Sequence, residues 1–367
     1  MAVDAADRWL HQVFESGRLR LEVPLRPAQG ARFQPAGYPD LGAATYRVST
    51  TTEDRETQMV LVESPQSVAN RLEAVCWDAG VQDVVDELKG LPYVRVLLEG
   101  DGTDGTVTAS LLEAHRLNSP YIMDAVGEDG EPFRETLRKR TGVPARKKKA
   151  KADGDTAAEG DGDDDLPGVG IVDPRRIAQA VYHYDPNAVL HGVFLTELDG
   201  RARLQRALSG FVEAVDAHEA LSGGVKLDRV HTGGDTKKGY GNVPYARIEF
   251  VARDIRAYFS LDTALLRSYG LPPVAVEFLV VLAVWKIRRF LRTGLRLRTA
   301  CDFEVAAPEV EITVPRDTVL PSETELAARL RHALGACAGH WADPPVTVLR
   351  RALTEASTVK RGARGRR

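Results

Sequence analysis

The chain has 367 residues, 43% of them hydrophobic, and a formal net charge of −3, which is enough for two domains or one enlarged domain around a sizeable core. Three cysteines, Cys76, Cys301 and Cys337, lie far apart with no CxxC pair, which excludes a disulfide framework and a thiolate zinc site and fits a reducing cytoplasm. Met1 to Arg8 is acidic and lacks an apolar core, so no secretory signal is expected. The most apolar run, Val274 to Trp285, contains Glu277 and reaches about a dozen residues against roughly 20 for a membrane helix, so a soluble protein is expected.

Leu19 to Leu25 alternates apolar and polar residues, the period of a half-buried strand. Arg26 to Pro39 is rich in Pro and Gly and is expected to be an irregular loop. A second strand, Gln58 to Glu63, runs straight into Ser64-Pro65, where Ser64 suits a helix N-cap and Pro65 the first helical position. Val68, Leu72, Val75 and Cys76 form the buried face of that helix, leaving Gln66, Ser67, Asn70 and Arg71 near its positive end. Such a start is either ordinary capping or a place where N–H groups and polar side chains receive phosphate.

Val94 to Leu98 reads as a strand and Ser110 to Arg116 as a short helix. Between Arg146 and Asp165, basic residues are followed by acids mixed with Gly and Ala, and no large apolar side chain offsets the entropy of ordering; a disordered insertion is expected. A helix starts at Asp173-Pro174 and leads through Val181 to Asp185-Pro186, followed by a strand from Val189 to Thr196. Leu204, Leu208, Phe211, Val212 and Val215 share one face at helical spacing, predicting an amphipathic helix that ends near Gly223-Gly224. Val225 to Val230 and Ala246 to Arg253 are strands in hairpin order around a basic, glycine-rich loop too long for a tight turn. A long core helix follows Pro272-Pro273. Glu309 to Val314 is an edge strand, Ser322 to Ala336 a helix capped by Ser322, and Val346 to Leu349 a last strand. Strands and helices mixed in this way, with long irregular insertions, make the fold α+β.

Catalytic chemistry is not evident. His183 and His191 lack the spacing of a helical metal pair, and Asp185 with His191 reads as hydrogen-bonding scaffold in a turn, so no metal and no cofactor are expected. Gly233 to Gly239 superficially resembles a phosphate loop but lacks the G-x-x-x-x-G-K-[ST] order, and Gly239-Tyr240-Gly241 lacks the third glycine of a dinucleotide fingerprint. The same loop does suit single-stranded nucleic acid: Lys237 and Lys238 neutralise phosphates, Tyr240 and Tyr245 stack on bases, and glycines let the backbone approach. With a net charge of −3, any such binding needs local patches. Lys286, Arg288, Arg289, Arg292, Arg296 and Arg298 form one, readable also as a solvated helix face, and the basic tail from Lys360 to Arg367 forms another.

Five blocks in register, Glu63 to Glu73, Asn118-Ser119-Pro120-Tyr121-Ile122, His191-Gly192-Val193-Phe194, Gly239 to Arg247 and Gly294 to Asp302, closely resemble the RAMP-superfamily backbone subunit of type I-G (formerly I-U) CRISPR Cascade. The resemblance runs from about Leu19 to Asp302 and leaves out the charged insertion and the basic tail. It implies a modified RNA-recognition-motif, ferredoxin-like palm with a protruding thumb hairpin. Helically stacked copies of such a subunit would grip a guide RNA, beside other Cascade subunits, and hold it for pairing with target DNA.

On that resemblance the chain divides into an N-terminal extension (1–18), a first palm segment (19–144), the charged insertion (145–166), the remainder of the palm with a thumb-like loop near 222–247 (167–350), and the basic tail (351–367). The implied RNA contacts are Arg32, Phe33 and Gln34 after the first strand, then Ser64, Gln66, Ser67, Asn70 and Arg71. Further along they are His231, Lys237, Lys238, Tyr240, Asn242, Tyr245 and Arg247, with Arg288 and Arg296 beyond. Related type III subunits cut target RNA with an aspartate in the loop after the first strand, where Asp40 lies here, whereas type I backbone subunits are not expected to cleave. The alternatives are a RAMP-family RNA endonuclease and a protein-interaction scaffold that never touches RNA. No membrane partner is expected, and the location is cytoplasmic.

Overall fold

The computed structural model describes residues 7–38, 40–49, 56–99, 106–143, 172–198, 202–230, 233–238, 240–306 and 310–352. The chain forms two compact units. One comprises Met1–Val75, Leu208–Ala264 and Val280–Ala328; the other comprises Cys76–Ala207, Leu265–Leu279 and Arg329–Arg367. The charged insertion, the tail beyond Ala352 and the predicted contact His231 lie outside the described residues.

The first unit is built on one antiparallel sheet. Its elements are α1 (Arg8–Ser16), β1 (Arg18–Pro27), β2 (Thr45–Ser49), β3 (Glu56–Glu63), α2 (Pro65–Ala74), β4 (Leu208–Lys226), β5 (Val243–Asp262), the part of α3 (Pro273–Thr293) from Val280 onward, β6 (Arg296–Arg298), β7 (Cys301–Val305) and β8 (Glu311–Val314). The strands lie in the order β6-β7-β1-β5-β4-β3-β2, and β8 pairs with β1. Taken alone, β1, α2, β4, β5, α3 and β7 run β-α-β-β-α-β, and their four strands lie side by side as β7-β1-β5-β4 with every neighbour antiparallel. That is the ferredoxin-like arrangement of an RNA-recognition-motif core.

Local chemistry accounts for most elements. In β1, Leu19, Leu21, Val23 and Leu25 are buried and alternate with Arg18, Arg20, Glu22 and Arg26, so the predicted strand forms with its apolar face to the core. At α2 the Ser67 N–H donates to Ser64 Oγ at 3.3 Å and Pro65 opens the helix. Helix α3 is buried along most of its length, including Phe278, Trp285 and Phe290; its first turns, to Leu279, group with the second unit and the rest with the first. Ser322 caps the next helix, Glu323–Cys337, reciprocally: the Glu325 N–H donates to Ser322 Oγ at 3.3 Å, and the Ser322 N–H donates to the Glu325 carboxylate at 2.7 Å.

The expected helix over Leu204 to Val215 is instead a strand. Leu208, Gly210, Val212 and Ala214 are buried at a period of two, while Phe211 projects from the other face and stacks on Tyr258 with ring centroids 4.9 Å apart. Gly210 lies so close to β5 that an added Cβ would meet the Phe259 ring at 2.7 Å and the Tyr258 carbonyl oxygen at 2.9 Å. A regular array of apolar residues satisfied both periods here, and the partner strands decided between them.

Strands β4 and β5 pair from Leu208↔Leu261 to Lys226↔Val243 in one register, interrupted at Asp216, whose φ is +55°. At the foot, β1 covers Ile255–Asp262 and β3 covers Val212–Val215. Beyond Ala217 and Ala252 the two strands pair, among the described residues, only with each other, apart from a bridge between Phe33 and Phe250. At about 3.3 Å per residue this outer stretch is a two-stranded ribbon on the order of 30 Å long. The hairpin predicted from sequence is thus much longer than its tip.

The second unit contains a three-stranded sheet in which Val346–Ala352 pairs in parallel with Tyr93–Glu99, which pairs antiparallel with Thr106–Ala109. Helices Phe133–Thr141, Pro174–Tyr184 and Pro186–His191 belong to it. The last replaces most of the strand expected from Val189: the Ala188 N–H donates to Asp185 Oδ1 at 3.2 Å and Pro186 opens the turn, so only Val193–Leu195 is extended. The short helix expected at Ser110 to Arg116 is a series of turns leading to a single 3₁₀ turn, Arg116–Asn118. Among the described residues no helix is long and apolar enough to cross a membrane.

Candidate nucleic-acid interface

Two grooves flank the foot of the ribbon in the first unit. The larger, about 900 Å³, is lined by the loop Gln34–Gly37, the segment Leu41–Thr45, the start of α2 at Ser64 and Ser67, and Ile248 and Phe250 of the ribbon. The smaller, about 520 Å³, is lined by Gln29 to Arg32, Glu249, Arg296 and the segment Arg298–Ala300. Ile248 and Phe250 alternate with Glu249 along β5, so one strand presents opposite faces to the two grooves. Arg298 lines both.

Most of the predicted residues fall into three groups. Arg32, Gln34, Ser64, Ser67 and Arg296 line the grooves. Gln66 and Asn70 are exposed on α2, joined by a 3.1 Å hydrogen bond from Gln66 Nε2 to Asn70 Oδ1. Lys237, Lys238, Tyr240, Asn242, Tyr245 and Arg247 belong to the tip and outer ribbon. Lys237 and Lys238 are exposed on a 3₁₀ turn held by Asp235, whose Oδ1 accepts from the Lys237 N–H at 3.0 Å. Tyr240 and Tyr245 are 57% and 52% exposed, each ring presenting an apolar face beside a polar hydroxyl.

The tip itself is built by polar closure. Asp228 ties its two sides together: its N–H donates to Asn242 Oδ1 at 2.9 Å, and its Oδ2 accepts from the Gly241 N–H at 2.7 Å. Gly241 has φ +77°, and a Cβ there would stand 2.6 Å from the Gly234 carbonyl oxygen, so this position requires glycine. Opposed residues of the ribbon share a face. Leu221, Val225 and Ile248 lie on one face, with Leu221 81% exposed, and Ser222, Lys226, Tyr245 and Arg247 on the other.

Three predicted contacts are corrected. Phe33 is fully buried, its ring 5.8 Å from that of Phe303, and it serves the core, not a base. Arg71 turns inward: its guanidinium donates to the Arg296 and Leu297 carbonyls and stands 3.7 Å from the Glu63 carboxylate. Arg288 donates to the Leu320 carbonyl at 3.1 Å, and burial pulls its guanidinium below the usual arginine range. Its neighbours on α3 are likewise engaged: Arg292 and Arg289 pair with Glu323 at 2.7 and 3.4 Å, and Lys286 is buried. The basic run on α3 is therefore mostly internal bracing.

Charge in the grooves is mixed. Arg32 and Arg247 stand 3.5 and 3.7 Å from the buried Glu249 carboxylate. Arg296 is exposed. Arg298 and Glu249, both absent from the predicted contacts, occupy central places; Arg298 carries a sequence signal as a member of the basic patch with Arg296, whereas Glu249 carries none.

The family model described as CRISPR-associated protein GSU0053 (Cas_GSU0053) matches residues 19–219. The chain belongs to this family. In the GSU0053-family protein the match takes in β1, α2 and β4 as far as Glu219, while the rest of the outer ribbon, its tip, β5 and the Arg296–Cys301 segment lie beyond it. A solved chain described as "CRISPR RNA-guided surveillance complex, pre-nicking" is 15% identical over 87% of each chain, with a TM-score of 0.33. No curated protein matches.

Proposed function

We propose that this GSU0053-family chain is a non-catalytic backbone subunit of a type I-G Cascade complex. Adjacent copies coat a guide RNA and present it, with the other Cascade subunits, for pairing with target DNA in the cytoplasm. The observation that carries the reading is the ribbon itself, which stands out from an RNA-recognition-motif-like sheet and exposes Lys237, Lys238, Tyr240 and Tyr245. Family membership supports it. Arg and Lys hold phosphates, and aromatic rings separate or stack on bases without reading sequence, which is left to base pairing. A chain with net charge −3 and a few phosphate contacts gains useful affinity from many adjacent copies on one strand.

The test is purification with and without guide RNA, with absorbance ratio and molar mass measured across a size-exclusion column. RNA co-eluting at a mass many times 40.1 kDa is the expected result. A nucleic-acid-free species that stays so when partner subunits are added overturns the reading in favour of a protein scaffold. Guide-length RNA incubated with the complex and Mg²⁺ should remain intact; cleavage abolished by Asp40→Ala would replace the non-catalytic reading with a nuclease.

A further inference from the structure

Arg298 is bonded to three separate parts of the groove walls. Its Nη1 donates to the Gln34 carbonyl at 3.0 Å, the Val62 carbonyl at 3.0 Å and the Cys301 Sγ at 3.2 Å, and its Nη2 pairs with the Glu63 carboxylate. Glu63 is buried, 1% exposed, and is also approached by Arg71, which itself holds the Arg296 and Leu297 carbonyls. The Gln34 N–H donates to the Ala300 carbonyl at 2.7 Å, closing the same circle from the other side. One buried carboxylate and two guanidinium groups thus knit the loop carrying Arg32 and Gln34, the end of β3 that leads into Ser64, and the strand carrying Arg296.

We propose that Arg298 is a positioning residue for guide RNA: through Glu63 and the Gln34 and Val62 carbonyls it fixes the two groove walls in one mutual arrangement, and it does not itself neutralise a phosphate. The proposal rests on the RNA-binding reading above. A guanidinium is the group this place requires, because its planar fork reaches several acceptors at once, whereas an ammonium is a compact point charge. Most of its donor directions are already taken by protein oxygens and sulfur, leaving little for a phosphate. A buried carboxylate such as Glu63 needs close cationic partners, and moving Arg298 to a ligand would leave it only the more distant Arg71 guanidinium, 3.7 Å away.

The two roles separate by substitution. Lysine replaces arginine well at a phosphate contact that needs only charge, and poorly at a fork. The experiment is fluorescence anisotropy of the full-length chain with a guide-length single-stranded RNA over a salt series, for wild type, Arg298→Lys, Arg298→Gln and Arg296→Ala. The expected result is about a tenfold or larger loss of affinity for both Arg298 variants with the wild-type salt slope, against a slope lowered by about 0.7 for Arg296→Ala, the value for one phosphate on a single strand. Restored affinity in Arg298→Lys, a lowered slope in Arg298→Gln, or no loss in either variant overturns the proposal.

Hydrogen exchange without RNA keeps this test apart from the RNA-binding reading. Arg298→Lys retains a cation beside Glu63 and should fold. Its amides at Gln34 and Ala36, which donate to the Ala300 and Val62 carbonyls, should exchange faster, while those of Tyr93–Glu99 in the second unit stay protected. Unchanged exchange at Gln34 and Ala36 defeats the positioning role whatever RNA does. Faster exchange together with a wild-type chain that ignores RNA upholds the clasp and defeats its use in RNA binding, and so overturns the proposal as stated.

Discussion

Phe33 and Phe250 exchange both backbone hydrogen bonds, each N–H donating to the other's carbonyl at 2.9 Å. This single bridge fastens the loop after β1 to the ribbon just where the ribbon leaves the sheet, and it buries Phe33 completely. Truncating a fully buried phenylalanine costs about 3–5 kcal/mol. Phe33→Ala should therefore lower the urea midpoint strongly, and Phe33→Leu much less. If Phe33 stacked on RNA instead, Phe33→Leu would weaken RNA binding at wild-type stability.

Ser64 satisfies one of the free N–H groups at the start of α2, through the Ser67 amide. Losing such a cap costs about 1 kcal/mol. Ser64→Ala should show that loss in equilibrium unfolding, whereas Ser64→Asp should keep most of the stability. RNA affinity then separates the two variants: a carboxylate in the groove repels phosphate, so Ser64→Asp should bind RNA more weakly than Ser64→Ala. Equal affinities would remove Ser64 from the RNA path.

Arg288 shows how far a side chain's role depends on residues distant in sequence. Its acceptor, the Leu320 carbonyl, belongs to a segment with no sequence pattern connecting it to α3. Arg288→Met should change stability while leaving the salt slope of RNA binding at the wild-type value. A slope reduced by about 0.7 would return Arg288 to the phosphate contacts.

The elements legible in the sequence were those whose cause is local. The alternation of Leu19, Leu21, Val23 and Leu25, the Ser64-Pro65 start, the Ser322 cap and the apolar length of α3 each contain their own reason to form. Strand β4 did not, because Leu208, Phe211, Val212 and Val215 fit a helical face as well, and only pairing with β3 and β5 made them a strand. The interface divides along the same line. Lys237, Lys238 and Tyr240 are exposed because their loop has no partner strand, which glycine and polarity announce. Arg71 and Arg298 look like surface cations and are held by Glu63 and carbonyls supplied from opposite ends of the unit.

At the tip, Lys237 and Lys238 are exposed, and their backbone N–H groups donate to Asp235. Replacing both with alanine should leave the unfolding curve unchanged and lower the salt slope of RNA binding by about 1.4, two single-strand phosphates. Gly241→Ala should act differently: it strains the φ +77° turn and drives a methyl into the Gly234 carbonyl, disordering the tip and weakening RNA binding with only a small effect on global unfolding. A Gly241→Ala variant with wild-type affinity would mean that the tip's shape is irrelevant to RNA.

Acid should destabilise the second unit through His183. Burial, and next the charge of Arg140, hold its imidazole below the usual histidine range, while the His340 carbonyl lies 3.2 Å from Nδ1. With the folded value below the unfolded value of about 6.5, the unfolded chain binds more protons between the two, so stability rises with pH through that window. The neutral ring's contribution is complete above pH of about 6.5 and is lost as pH falls toward the folded value. Thermal melts from pH 8 to 5 should therefore drop more steeply for wild type than for His183→Gln, which keeps polar groups near the His340 carbonyl but does not titrate. Parallel pH profiles would mean that His183 remains as accessible to protons in the folded chain as in the unfolded one.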